Sequence, residues 1–237
     1  MTILGVVMSF STQQEKGKLV VKIRHYVGNS LLQLDSARYT NALGQTFTIS
    51  NFKYYISNVE LKKMDGKIIS FPGSFLVNEE DAASKQFVLN AVAEGNYSSM
   101  SFILGVDSAH NCSGAQSGAL DPVNAMFWAW NSGYIFLKLE GKSPASQSPG
   151  HIFEYHIGGY KHPANCIRRI VLNFEHPVAI TGKTTDIILK ADASELLKTP
   201  VDIDFSKLSS VTDHRNATLI ADNYKDMFSI LQPGDEK

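Results

Sequence analysis

Residues 19–25 read LVVKIRH, and Leu19, Val21 and Ile23 alternate there against Lys22 and Arg24. Alternation of apolar and polar side chains at period two is the signature of a half-buried strand, because successive side chains leave a pleated backbone on opposite faces. Similar runs follow at 47–49, 52–61, 68–71, 87–89, 100–104, 134–139, 151–157, 167–174 and 185–189. Turn signals separate them, among them Gly28-Asn29, Asp65-Gly66, Pro72-Gly73, Gly158-Gly159 and Thr181-Gly182. About ten short strands punctuated in this way imply an all-β chain, folded as an antiparallel β-sandwich. Helical periodicity is confined to two short pieces near the C-terminus, 193–197, where Asp192 or Ser194 can cap, and 218–231.

Composition narrows the function classes. The 237 residues carry 22 Lys+Arg against 23 Asp+Glu, and only 19% are charged, which excludes a disordered or supercharged chain. No apolar run reaches the 18 or more residues that cross a bilayer, and no basic block offers phosphates a binding stripe. Residues 1–12, opening MTILGVVMSF, read as a signal remnant or a disordered start, and 13–237 as one domain. The polar, charge-poor chain behind that opening suits an exported protein. Cys112 and Cys166 are the only cysteines. They form a single disulfide if the chain is exported, or remain two thiols in a reducing compartment.

No nucleophile elbow, zinc-protease helix, Walker loop or dinucleotide fingerprint is present. The least ordinary stretch is GVDSAHNCSGAQSGALDPVNAMFWAWNSGYIFLKLEG at 105–141. Its first part, Gly105 to Asn124, is too polar for a core and too long for a hairpin turn, so it is either functional or held by its own hydrogen bonds. Asp107, Asn111 and Asp121 offer oxygens to calcium, although their spacing matches no EF-hand and Asx turns account for them more simply. Next, MFWAW places Met126, Trp128 and Trp130 on one face of a strand.

Among the seven histidines, His25 continues the apolar face of Leu19, Val21 and Ile23, and His156 shares a face with Ile152 and Glu154. A histidine on an apolar face is most simply a core residue bonded through both ring nitrogens. Imidazole is also the commonest side-chain ligand for copper and zinc, and Glu154 can fix the tautomer of such a ligand. His162 and His214 read as loop residues.

Several segments together resemble the MbnP-like family, named for the periplasmic copper protein of the methanobactin operon, in a branch common in Bacteroidetes. They are HYVGNSLLQLD at 25–35, YTNALGQTFTISNFKYYISNVEL at 39–61, the 105–141 block, FEYHIGGY at 153–160 and ADASELL at 191–197. The resemblance implies an exported, periplasmic or cell-surface, non-enzymatic copper-binding protein on a β-sandwich. In that family copper is held by histidines together with kynurenine, an oxidised tryptophan made by a partner di-haem peroxidase-like cytochrome. Carried onto this chain, it makes His156 the first metal ligand, His25 or His151 the second, and Trp128 or Trp130 the candidate for oxidation. Met126 can add a thioether.

Two other readings stand beside it. One is an extracytoplasmic recognition module that binds a glycan, peptide or protein through Gly105 to Asn124, with or without calcium. The other is an enzyme built on His25, Glu154 and His156, which requires those side chains to meet in one pocket.

Overall fold

The computed structural model describes residues 15–128, 133–212 and 214–232. The chain begins with strands β1 (Lys16–Val27), β2 (Ser30–Leu31), β3 (Tyr39–Thr40), β4 (Thr46–Lys63) and β5 (Ile68–Asn78). Strands β6 (Gln86–Ala93) and β7 (Gly95–Leu104) lead to helix α1 (Ser108–Cys112), then to β8 (Phe127–Trp128), β9 (Gly133–Lys142) and β10 (Ile152–Gly158). The last part holds β11 (Arg168–Ile180), β12 (Thr184–Asp192), β13 (Ser210–Val211), helix α2 (His214–Tyr224) and β14 (Phe228–Leu231). The opening segment 1–12 lies outside the described residues.

Two sheets stack as a sandwich. The smaller runs β14-β12-β1-β2, with β6 also on β1. The larger runs β11-β7-β4-β9-β10-β13, with β3 and β5 on β4 and β8 on β9. Most ladders are antiparallel, as the alternation implies, but β1 pairs with β12 in parallel and so does β10 with β13. Period-two patterning is the same in either orientation, so it gives no warning of a parallel partner.

The burial pattern of β1 alternates from Gly17 to Ile23, so Leu19, Val21 and Ile23 enter the interior. Phe52, Tyr54, Leu137, Leu139, Phe153, Tyr155 and Ile157 face them from the larger sheet. Rings interlock across that interior, Phe102 meeting Phe228 edge-on at 5.0 Å and Phe153 stacking on Phe205 at 4.6 Å.

The helical segment expected at 218–231 is shorter at its end than its periodicity suggests. α2 stops at Tyr224, and Phe228–Leu231 is a strand on β12. Asn223 explains the break: its amide donates to Leu196 O at 3.0 Å and its Oδ1 accepts from Val201 N at 3.0 Å, tying the helix end to the neighbouring segment. The piece at 193–197 is a 3-10 turn capped by Asp192, whose carboxylate accepts from Ser194 N.

Candidate functional site

Trp128 ends the two-residue strand β8, which lies against the start of β9 with Phe127 opposite Tyr134 and Trp128 opposite Gly133. The 105–125 segment reaches it by folding over the outer face of the larger sheet. Tyr55 donates to Ala119 O at 3.0 Å, Tyr134 to Leu120 O at 2.9 Å, and the buried Lys138 to Ala125 O at 2.8 Å. The segment's own polar groups hold it together. Asn111, buried, donates to Val106 O at 2.6 Å and accepts from Tyr134 N at 3.1 Å. Asp107 caps α1 and accepts from His110 and Asn58, and Asp121 accepts from Val123 N. Those oxygens, the candidates for calcium, are thus engaged in caps and turns.

Register assigns each histidine to a side of the sheet. Directly opposed residues share a face, and Lys53, Lys138 and His156 are opposed across β4, β9 and β10, as are Tyr54, Leu137 and Ile157. His25 belongs to the Tyr54 side: its Nε2 is 2.7 Å from Tyr54 Oη, and its ring meets Phe52 edge-on at 4.9 Å. His156 belongs to the opposite, outer side. His151 stands before β10, at the far end from Gly158, with its Nδ1 2.9 Å from Ser146 O. The three histidines therefore do not meet, and the His25, Glu154, His156 pocket is not formed, because the sheet itself stands between His25 and His156.

His25 is 3% exposed and uses both nitrogens, with Nδ1 2.5 Å from Glu79 Oε2. It is the satisfied core histidine that an apolar face most simply predicts. Burial lowers its pKa from the usual 6.5, against the raising effect of Glu79. His156 holds a different partner. Its Nε2 lies 2.6 Å from Glu140 Oε1, and Asn51 donates to the other oxygen of the same carboxylate at 3.0 Å. Chiefly through His156, Glu140 is pulled down to a pKa of about 2. Glu154, expected to fill that role, instead accepts from Ser210. Next to this pair, Asn51 Oδ1 is buried without a hydrogen-bond partner.

Trp128 packs against the end of β10 that follows His156, where the ladder to β9 shifts register between Ile157 and Gly158. Gly158 follows His156 by two residues, and a methyl group added there would sit 2.7 Å from Trp128 Cζ3 and 2.5 Å from the Tyr134 carbonyl. The missing side chain is what lets the indole lie against the strand. Trp128, 6% exposed, forms one wall of a cleft of about 410 Å³ that is also lined by Asn111, Tyr134, Tyr160 and His162. His162 carried no periodic signal in the sequence, being a turn residue, and only the fold brings it to the indole. Trp130 lies outside the described residues, so its place relative to Trp128 is not part of this geometry.

Both cysteines are free thiols. Cys112 is exposed, its Sγ 3.4 Å from Tyr160 Oη, whereas Cys166 is buried and its thiol is pushed up to about 12 by that burial. Among the described residues no three His, Cys, Asp or Glu side chains gather closely enough to form a metal cage.

A family model described as MbnP matches residues 16–214. Among solved structures, MbnP from Methylosinus trichosporium superposes with a TM-score of 0.56 at 15% identity, over 80% of this chain and 79% of that one. At that identity the likeness concerns the fold. No curated protein matches the chain.

Proposed function

Because the chain belongs to the MbnP family, we propose that it is an exported, periplasmic or cell-surface protein that handles copper and is not an enzyme. The observation that supports the reading is that Trp128 and His162 line one cleft, with the indole packed against Gly158, two residues beyond His156.

The donor types fit the metal. Cu(I) accepts two or three imidazole or soft ligands in an open arrangement, so a closed cage of three protein side chains is not required. His156 would present Nδ1 while Glu140 fixes the ring through Nε2, as carboxylates commonly do behind a metal-bound histidine. The buried, unpartnered Asn51 Oδ1 beside that pair adds an acceptor suited to a cation or a water molecule. Trp128 is the tryptophan we assign to oxidation by a di-haem partner, since its indole is seated in the cleft. Bound copper would supply a soft, low-coordinate centre there, and the chain's part is to hold two imidazoles, orient one of them and limit water with the walls of Tyr134 and Tyr160.

The test is copper content by mass spectrometry after challenge and desalting, for the wild type, His156→Ala, His162→Ala and Trp128→Phe, each made with and without a di-haem cytochrome and checked by intact mass. Stoichiometric copper in the wild type, lost in all three variants, is expected. Wild type whose tryptophan has been oxidised and which still retains no copper overturns the reading, and moves attention to the cleft as a recognition site for a glycan or peptide.

A further inference from the structure

A second cleft, far from Trp128 along β10, has a different chemistry. About 320 Å³ in volume, it is bounded by Arg38, Lys142 and His151 with Thr46, Thr48 and Ser143, and Pro144 adds apolar surface. Lys142 stands between Thr48 on β4 and Ile152 on β10, so its side chain shares their face of the sheet. Arg38 approaches from just before β3. Both cations are exposed, and among the described residues neither has a carboxylate in ion-pairing range. In a chain of net charge -1 that is a local excess of positive charge, with no acid among its lining residues.

The wall is preformed. The 142–150 loop, KSPASQSPG in sequence, is knotted by its own hydrogen bonds: Ser143 N donates to His151 O at 2.9 Å, Ser143 Oγ to Thr46 O at 2.7 Å, and Ser146 Oγ to Ile152 O at 2.6 Å. Since Ser146 O can only accept, His151 Nδ1 carries the hydrogen of the 2.9 Å bond between them. That fixes the ring in the loop. A metal cation brought to His151 would meet Arg38 and Lys142, and like charges in one small cleft repel it.

We propose that this cleft binds a small organic oxyanion, a carboxylate or phosphate group carried on an apolar body. Arg38 offers a planar two-pronged donor that matches either group, Lys142 a mobile point charge, and the two threonines neutral hydroxyls. Pro144 and the alkyl stems of Lys142 and Arg38 cover the apolar part of the ligand. The site is independent of the copper reading and shares no residue with the Trp128 cleft.

The experiment is a titration of isotopically labelled whole chain with benzoate, phenyl phosphate, inorganic phosphate and the uncharged benzyl alcohol, followed by amide chemical shifts. Benzoate and phenyl phosphate are expected to perturb 46–48 and 142–151 saturably, and the tighter of the two identifies which oxyanion the site prefers. Inorganic phosphate should bind more weakly and benzyl alcohol not at all. Arg38→Gln and Lys142→Gln, both at exposed positions, should each weaken binding roughly tenfold with no change in melting temperature. Added salt should weaken the wild type as well. Benzyl alcohol binding as well as benzoate, affinities unchanged in both variants, or no saturable shift with any anion up to about 10 mM would overturn the proposal.

Discussion

His25 occupies a core position that an aliphatic side chain could fill, and it is tolerated there because Glu79 and Tyr54 take both its nitrogens. The arrangement carries a pH dependence whose sign is fixed. Burial lowers the His25 pKa below 6.5; burial alone would raise Glu79, but bonds from His25 and Lys85 outweigh it and bring that carboxyl below 4.5. Both groups bind protons less readily folded than unfolded, so stability declines as pH falls below about 6.5 and again below about 4.5. Urea midpoints measured from pH 8 to pH 4 should trace that decline. His25→Phe should cost about 1–3 kcal/mol at pH 7 by stranding Tyr54 Oη and leaving Glu79 to Lys85, and should remove the upper step of the profile. Gly158 is sensitive for the opposite reason, namely lack of space. Gly158→Ala should destabilise by about 1–3 kcal/mol and shift the tryptophan emission, since the new methyl cannot avoid both Trp128 and the Tyr134 carbonyl. The thiols separate cleanly: a disulfide-exchange reagent should modify Cys112 in the native chain and Cys166 only on unfolding, and equal rates would contradict the burial difference.

At the level of elements, the 105–125 segment shows how a loop without regular structure is fixed. Lys138 is a buried cation whose pKa burial lowers, and its hydrogen bond to Ala125 O fastens the segment just before Trp128. Lys138→Met should leave global stability within about 1 kcal/mol, because a thioether suits the site that the ammonium vacates, while amide exchange across 118–128 accelerates by about tenfold. Unchanged exchange would mean that the tyrosine bonds alone hold the segment. The strands were legible because alternation is written locally: the runs at 100–104, 134–139 and 185–189 each fall within an observed strand. The site was legible only in part. His156 and Trp128 could be singled out as residue types, but that Glu140 rather than Glu154 reaches His156 depends on the register of β9 against β10, which no local pattern states. His162 was illegible for a related reason, since a turn residue has no face until the fold provides one.

For the whole molecule the determining feature is how far apart in sequence its partners lie. β1 pairs with β12 and β4 with β9, so the sandwich is built from non-local ladders. Refolding from urea should accordingly take milliseconds to seconds or longer, and a submillisecond folding phase that recovers native tryptophan fluorescence would contradict this. The parallel ladder also has a directional consequence. Lys18 is opposite Thr184 and Tyr26 is opposite Asp192, so β1 is synthesised well before its long partner β12. Until β12 is made, β1 has β2 and β6 beside it among the described strands, and the smaller sheet cannot close before β12 and β14 have emerged. The order in which the polypeptide appears thus delays the completion of the smaller sheet, while the strands of the larger sheet from β4 to β11 already have one another to pair with.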